Sequence, residues 1–282
     1  MKIAIVGLGL IGGSLARAIR KNTSHSVFAL DTDRETIAAA LAQEVIDGSI
    51  TADELHRFDL VILGLWPEPT IRFCLENTDK FKKGGTVIDT CGIKTSVVEK
   101  VELPLKNAGI NFIGCHPMAG REFSGFGYSV DNLFENASFI MTPTENTSPE
   151  ALQEVTKLAY DIGFAKCVTA SPEEHDRVIA FTSQLAHIVS SAYVKSPSLM
   201  DQAGFSAGSF RDLTRVAKLN EDMWTSLFML NRGPLISEIT HIIDHLEEYR
   251  SVLETQDKEQ LRSLLRDGRL LKEKSNASLE KK

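Results

Sequence analysis

The chain has 282 residues, a formal net charge of −7, 43% hydrophobic and 24% charged residues, a soluble globular composition with room for one large or two modest domains. Nineteen Gly and nine Pro are too few for a collagen-like or low-complexity chain, and the apolar content argues against disorder. No run of ~18 apolar residues offers a membrane span, and 38 acidic against 31 basic residues disfavour nucleic acid or an anionic membrane as partner.

The first predicted element is a strand, Lys2–Val6. Glycines at 7, 9, 12 and 13 follow it, where a signal peptide would continue its apolar core. Short β-branched runs then alternate with helical patterns. Strands are expected at Val27–Leu30, Leu60–Leu63, Thr86–Asp89, Asn111–Cys115, Ser138–Thr142 and Lys166–Thr169. Helices are expected at Ile11–Arg20, Arg34–Ala42, Glu68–Glu76, Thr95–Leu105 and Pro149–Ile162. The alternation predicts parallel strands joined by crossover helices, a Rossmann-like doubly wound α/β sheet.

After Ser171-Pro172 the strand signals stop. Glu173–Val194 carries apolar residues at helical spacing, and Leu235, Ile236, Ile239, Ile243, Leu246, Tyr249 and Leu253 form a second stripe after Gly233-Pro234. The boundary is expected near Thr169–Pro172, giving a dinucleotide-binding domain over residues 1–170 and an all-α domain over 171–282. The stripes are read as a homodimer interface, with an intrachain core as the alternative. The stretch from Asp257 to Lys282 reads as a solvated helix and frayed tail. Cys74, Cys91, Cys115 and Cys167 form no CxxC pair and read as reduced thiols of a cytoplasmic protein; neither they nor the histidines suggest a metal site.

Gly7-Leu8-Gly9-Leu10-Ile11-Gly12 follows a strand, opens a helix, and precedes a second strand that ends at Asp31. This is the context in which GxGxxG binds a dinucleotide. Gly7 makes the turn, Gly9 admits the pyrophosphate, Gly12 allows close helix packing, and the helix N-terminus with the amides of Leu8, Leu10 and Ile11 faces the phosphates. Asp31 is expected to accept from the adenosine ribose and to repel a 2′-phosphate, favouring NAD over NADP, although Arg34 nearby tempers that preference. Trp66 and Lys94 follow two further strand ends. Trp66 reads either as packing near the cofactor or as surface-packed, and Lys94 as more consistent with a solvated cation than with a ligand for phosphate.

His116 stands at another strand end, at the lip of the same crevice. A hydride leaves a carbinol carbon only as its O–H loses a proton, so His116 is read as the base. Glu122 either orients it or caps the next segment. Ser183, Gln184 and His187 share a helix face that turns either to water or to the cleft. Arg211 and Arg215, at i and i+4, either grip a carboxylate or join a surface network with Asp212.

Several blocks together resemble the prephenate and arogenate dehydrogenases: the glycine turn through Ala16, His116-Pro117-Met118-Ala119-Gly120-Arg121-Glu122 with Ser124-Gly125, Glu174-His175-Asp176, Ser183-Gln184-Leu185-Ala186-His187, and Phe210-Arg211-Asp212-Leu213-Thr214-Arg215 with Met223-Trp224. The resemblance implies NAD-dependent oxidative decarboxylation of prephenate, with arogenate dehydrogenase or a catalytically inactive NAD-binding homologue as alternatives. It implies that His116 assists deprotonation of the ring hydroxyl, that Arg215 binds a carboxylate, that His187 lines the substrate pocket, and that the helical domain forms a dimer. Two departures stand out: Gly92 replaces a serine, and Gln184 replaces the first histidine of a Ser-His-Leu-Pro-His block.

Overall fold

The computed structural model describes residues 1–121 and 123–279. Its elements run β1 (Lys2–Val6), α1 (Leu10–Asn22), β2 (Ser26–Leu30), α2 (Arg34–Ala42), β3 (Gly48–Ser49), β4 (Leu60–Leu63), α3 (Pro67–Glu76), β5 (Thr86–Asp89), α4 (Thr95–Asn107), β6 (Asn111–Pro117), β7 (Ser138–Thr142), α5 (Pro149–Asp161) and β8 (Lys166–Thr169). The helical part follows as α6 (Pro172–Ile179), α7 (Ala186–Tyr193), α8 (Gly208–Thr214), α9 (Glu221–Leu230), α10 (Arg232–Glu254) and α11 (Lys258–Leu279).

The strands form one sheet in the order β3-β2-β1-β4-β5-β6-β7-β8. Alternate side chains of β1 feed two separate cores: Ile3 and Ile5 enter one, Ala4 and Val6 the other. β4 and β5 are buried at every position, as expected of parallel strands covered on both faces. Strand order reverses between β1 and β4, so their carboxyl ends open the crevice where ligands of such sheets bind.

The expected all-parallel pattern fails at one place. β7 pairs with β6 antiparallel, Gly114 opposite Thr142 and Pro117 opposite Phe139. Among the described residues no crossover helix joins them. The intervening loop instead stays at the end of β6 and docks on α1: the Val130 N–H donates to Ser14 Oγ at 3.1 Å, Arg17 donates to Ser129 Oγ at 2.9 Å, and its guanidinium lies 4.8 Å from the Phe126 ring centre. The segment after His116 is thereby tied to the helix that starts at the glycine turn. The short β3 was not anticipated; two residues carry no periodicity to detect.

The helix expected over Glu173–Val194 forms in two parts, α6 and α7, joined by a π-helical turn at Ala180–Leu185. Its buried face is mixed: Gln184 and Ser190 are buried alongside Ile179, Ala180 and Leu185, whereas Val178 and Phe181 are exposed. Chain contacts group Met1–Arg232 as one compact unit and Gly233–Lys282 as another. In the second unit, Ile236, Ile243, Leu246 and Leu253 of α10 stand exposed. The helix expected in the C-terminal stretch runs as far as Leu279; the last three residues, 280–282, lie outside the described part. No described helix is long and apolar enough to cross a membrane.

Lys94 is not solvated. It is fully buried, ion-paired with buried Asp89, and donates to the Cys115 carbonyl at 2.5 Å. Asp89 also accepts from the Cys91 N–H and the Cys115 N–H, each at 3.0 Å. Burial of a charge is tolerated only when it is paired and hydrogen-bonded in this way. Lys94→Ala therefore leaves a buried carboxylate without its counter-charge and is expected to cost about 3–5 kcal/mol in urea unfolding; a loss below ~1 kcal/mol would show the pair to be dispensable.

Candidate active site

The glycine turn is built as the sequence requires. Gly7 has φ +87°, and a Cβ on Gly12 would fall 1.9 Å from the Gly7 carbonyl oxygen. Gly12 therefore lets α1 lie against β1, and Gly7 supplies a backbone conformation that L side chains rarely adopt. A Cβ on Gly9 would meet nothing within 4 Å. Internal packing does not demand a glycine there, whereas close approach of a ligand backbone does. Gly9 is the N-cap of α1 and its helix start carries no side-chain cap, leaving the first N–H groups of the helix, among them those of Leu10 and Ile11, for an anion. Asp31 closes the turn: it accepts from the Leu8 N–H at 2.6 Å and the Asp33 N–H at 2.9 Å. A carboxylate has about four acceptor positions, so two remain for ribose hydroxyls. These residues fit a dinucleotide. Arg34 is exposed, and Trp66, the N-cap residue of α3, is 48% exposed.

His116 lies near the end of β6, half-buried. Its Nδ1 is 2.9 Å from His175 Nε2, and His175 Nδ1 is 2.7 Å from Asp176 Oδ1. Asp176 also accepts from the Lys94 N–H at 2.7 Å and the Thr95 N–H at 2.9 Å, capping α4 with a negative charge where the helix dipole favours one. The position of this pair is set by the start of α6, where Ser171 accepts from the Glu174 N–H at 3.1 Å and Pro172 occupies the first turn. Burial, together with the neighbouring His175 and the Lys94 charge, pushes the His116 imidazole well below its usual value. Burial does the same, less strongly, to His175. Hydrogen bonds from His175, Thr95 and Lys94 hold the Asp176 carboxyl below the carboxylate range against its desolvation.

The outer edge of His116 faces Gly92: a Cβ built there would lie 3.8 Å from His116 Nε2 and 3.7 Å from Leu227 Cδ2 on α9. One turn earlier on α9, Trp224 holds the His187 ring at 3.8 Å between centroids. His187 Nδ1 donates to the Ser183 carbonyl at 2.9 Å, which leaves Nε2 as an acceptor. Burial and the Arg215 charge both lower its pKa. His116 and Leu227 thus flank Gly92, and on the same helix as Leu227 Trp224 packs on His187, which feels the Arg215 charge. Arg211, on α8, is exposed one turn before Arg215. Glu122 lies outside the described residues.

Of the helix face left open between water and cleft, Gln184 turns inward. Its Oε1 accepts from Asn231 Nδ2 at 2.8 Å, and the same amide donates to the Asp176 carbonyl at 2.9 Å. Gln184 braces Asp176. His175, Asp176 and Asn231 were not picked out by their spacing, because the contacts that matter span 55 and 59 positions.

The family model described as prephenate dehydrogenase, nucleotide-binding domain, matches residues 15–168. The one described as prephenate dehydrogenase, dimerization domain, matches residues 171–267. A prephenate dehydrogenase of Bacillus subtilis is 32% identical over 276 residues, 92% of this chain and 72% of that protein. The crystal structure of prephenate dehydrogenase from A. aeolicus in complex with hydroxyphenyl propionate and NAD+ superimposes with a TM-score of 0.87 at 28% identity, covering 97% of this chain and 98% of that one. That of Synechocystis arogenate dehydrogenase gives 0.83 at 26% identity, covering 98% and 100%.

The imidazoles of His116, His175 and His187, each lowered chiefly by burial, make stability pH-dependent. The unfolded chain protonates near the ordinary value of ~6.5, the folded one only below it, so their contribution is complete above ~6.5 and is lost as pH falls toward the depressed folded values. Urea unfolding is expected to weaken between pH 7 and 5, by at most ~1.4 kcal/mol per pH unit per group, and His116→Asn should flatten the slope. An unchanged slope would mean His116 titrates normally in the fold.

Proposed function

Since the chain belongs to the prephenate dehydrogenase family, we propose that it is an NAD-dependent prephenate dehydrogenase, which oxidatively decarboxylates prephenate to 4-hydroxyphenylpyruvate. The observation that carries the reading is His116 Nε2, set at the crevice edge with its other nitrogen tied to His175. In this reading the ring hydroxyl gives its proton to His116 Nε2 as the C–H bond at the same carbon breaks. The ring carboxylate leaves from the opposite carbon as carbon dioxide, and its bonding electrons complete the aromatic ring. NAD, when bound, supplies the hydride acceptor. General-base help of this kind contributes ~10²–10⁴-fold.

Gly7, Gly9, Gly12 and the start of α1 hold the pyrophosphate, and Asp31 the adenosine ribose. The Asp31 carboxylate at the strand end repels a 2′-phosphate, so NADP is the poorer cofactor. Arg215 binds a substrate carboxylate. His187, neutral and packed at a tilt on Trp224, lines the pocket, with Arg211 a weaker candidate at its edge. The choice of prephenate over arogenate is supported by the name of the Bacillus subtilis relative.

The same reading divides the chain into a cofactor domain over residues 1–170 and a helical domain over 171–282 that forms a homodimer. The exposed apolar residues of α6 and its π-helical turn, and those of α10, support it, since exposed apolar side chains in number mark interaction sites.

Incubation with NAD and prephenate is expected to produce NADH absorbance, with arogenate the poorer substrate; no NADH from either would overturn the reading. His116→Asn should lower kcat ~10²–10⁴-fold while NAD binding persists. Arg215→Ala should raise KM for prephenate ~10–100-fold, the loss of one charge-assisted contact, and leave KM for NAD nearly unchanged. Gly9→Ala separates ligand binding from folding: its Cβ enters open space, so thermal stability should hold while NAD affinity drops.

A further inference from the structure

The hydrogen-bond chain behind His116 has a fixed direction. Asp176, as an ionised carboxylate, only accepts, so the proton between it and His175 sits on His175 Nδ1. His175 Nε2 then carries a lone pair, and the 2.9 Å contact with His116 Nδ1 requires that His116 be the donor. His116 is therefore the Nδ1–H tautomer, and its lone pair lies on Nε2, the edge that faces Gly92. With the tautomer reversed, that edge would carry a hydrogen and could take no proton.

The chain is anchored at its far end. Asp176 is 4% exposed and His175 2%, and the carboxylate is locked to the first N–H groups of α4. The two imidazoles meet edge-on, with centroids 5.2 Å apart and planes at 65°. Glycine at 92 brings no hydroxyl to His116 Nε2, so among the described residues the one side-chain hydrogen bond to His116 comes from His175.

We propose that His175, oriented by Asp176, is the positioning residue that fixes the tautomer and ring plane of His116. The inference rests on His116 being the base, and it gives a buried histidine on α6 a defined task in the reaction. When His116 takes the proton, its Nδ1–H bond to His175 is retained and strengthened, and Asp176 stands one imidazole away from the new positive charge. His175 itself exchanges no proton and touches no substrate.

The test uses the full-length protein. His175→Phe is expected to lower kcat ~10–100-fold, the usual cost of losing an orienting partner, with KM values for prephenate and NAD essentially unchanged. His175→Gln, whose side-chain carbonyl can still accept from His116 Nδ1–H, should recover most of that loss. A structural role alone would not separate the two. Nitrogen-15 NMR of histidine-labelled protein above pH 7 should show His116 as a single Nδ1–H tautomer in the wild type and as a mixture in His175→Phe. A wild-type His116 protonated on Nε2, or equal kcat for wild type and His175→Phe, overturns the proposal. If His175→Phe fails to fold, the wild-type spectrum and the His175→Gln kinetics still decide. The spectrum does not depend on turnover, so an inactive wild type would reject the proposed function without touching the tautomer assignment.

Discussion

One carboxylate, Asp176, holds the chemistry together. It caps α4, which extends from β5 on the cofactor side, through two backbone N–H groups, and it fixes His175 and so His116 at the end of β6. Three elements of different origin are thereby locked to one anion. The anion is affordable because every direction around it is satisfied: two helix N–H groups with their dipole, an imidazole N–H, and a buried amide from Asn231 on its backbone carbonyl. A buried polar network is worth having only when it is complete, and here completeness also dictates where the protons lie.

The second buried charge pair performs a different task beside the first. Lys94 and Asp89 join β5 to β6 through the backbone of Cys115, the residue immediately before His116. The main chain that carries His116 is thus gripped from within the sheet, while its ring is gripped from α6. Burial and the neighbouring His175 lower the His116 pKa most, and the Lys94 ammonium adds to them. Gln184, standing where the resembling family has a histidine, joins the bracing layer, its side-chain oxygen accepting from Asn231.

Much of this was readable in the residues. The glycine turn, Asp31 and the strand-end placement of His116 depend on local geometry, in which two-fold and 3.6-fold periodicities meet turn residues, and those signals are short-range. What escaped were contacts between distant positions. Lys94 looked like any surface lysine because its partners, Asp89 and the Cys115 carbonyl, are defined by sheet register. The direction of β7 escaped because a strand's own residues do not state which neighbour it will pair with, and the loop that decides it is held by α1. His175-Asp176 appeared only as a resemblance; adjacent in sequence, they acquire meaning through His116, 59 positions away.

The helix through α6 and α7 buries a polar network beside apolar residues. A surface helix ordinarily buries its apolar stripe, yet here His175, Asp176, Gln184 and Ser190 share the buried face with Ile179, Ala180 and Leu185. The apolar residues Val178 and Phe181 are left outward, and burial of such side chains is worth roughly 1.5–3 kcal/mol each relative to exposure. A fold that spends its interior on hydrogen bonds must recover apolar burial elsewhere. A second copy of the chain, meeting these residues across a symmetric interface, would supply that burial without disturbing the polar face. On this argument, dimerisation is the structural counterpart of burying a hydrogen-bonded network on a helix.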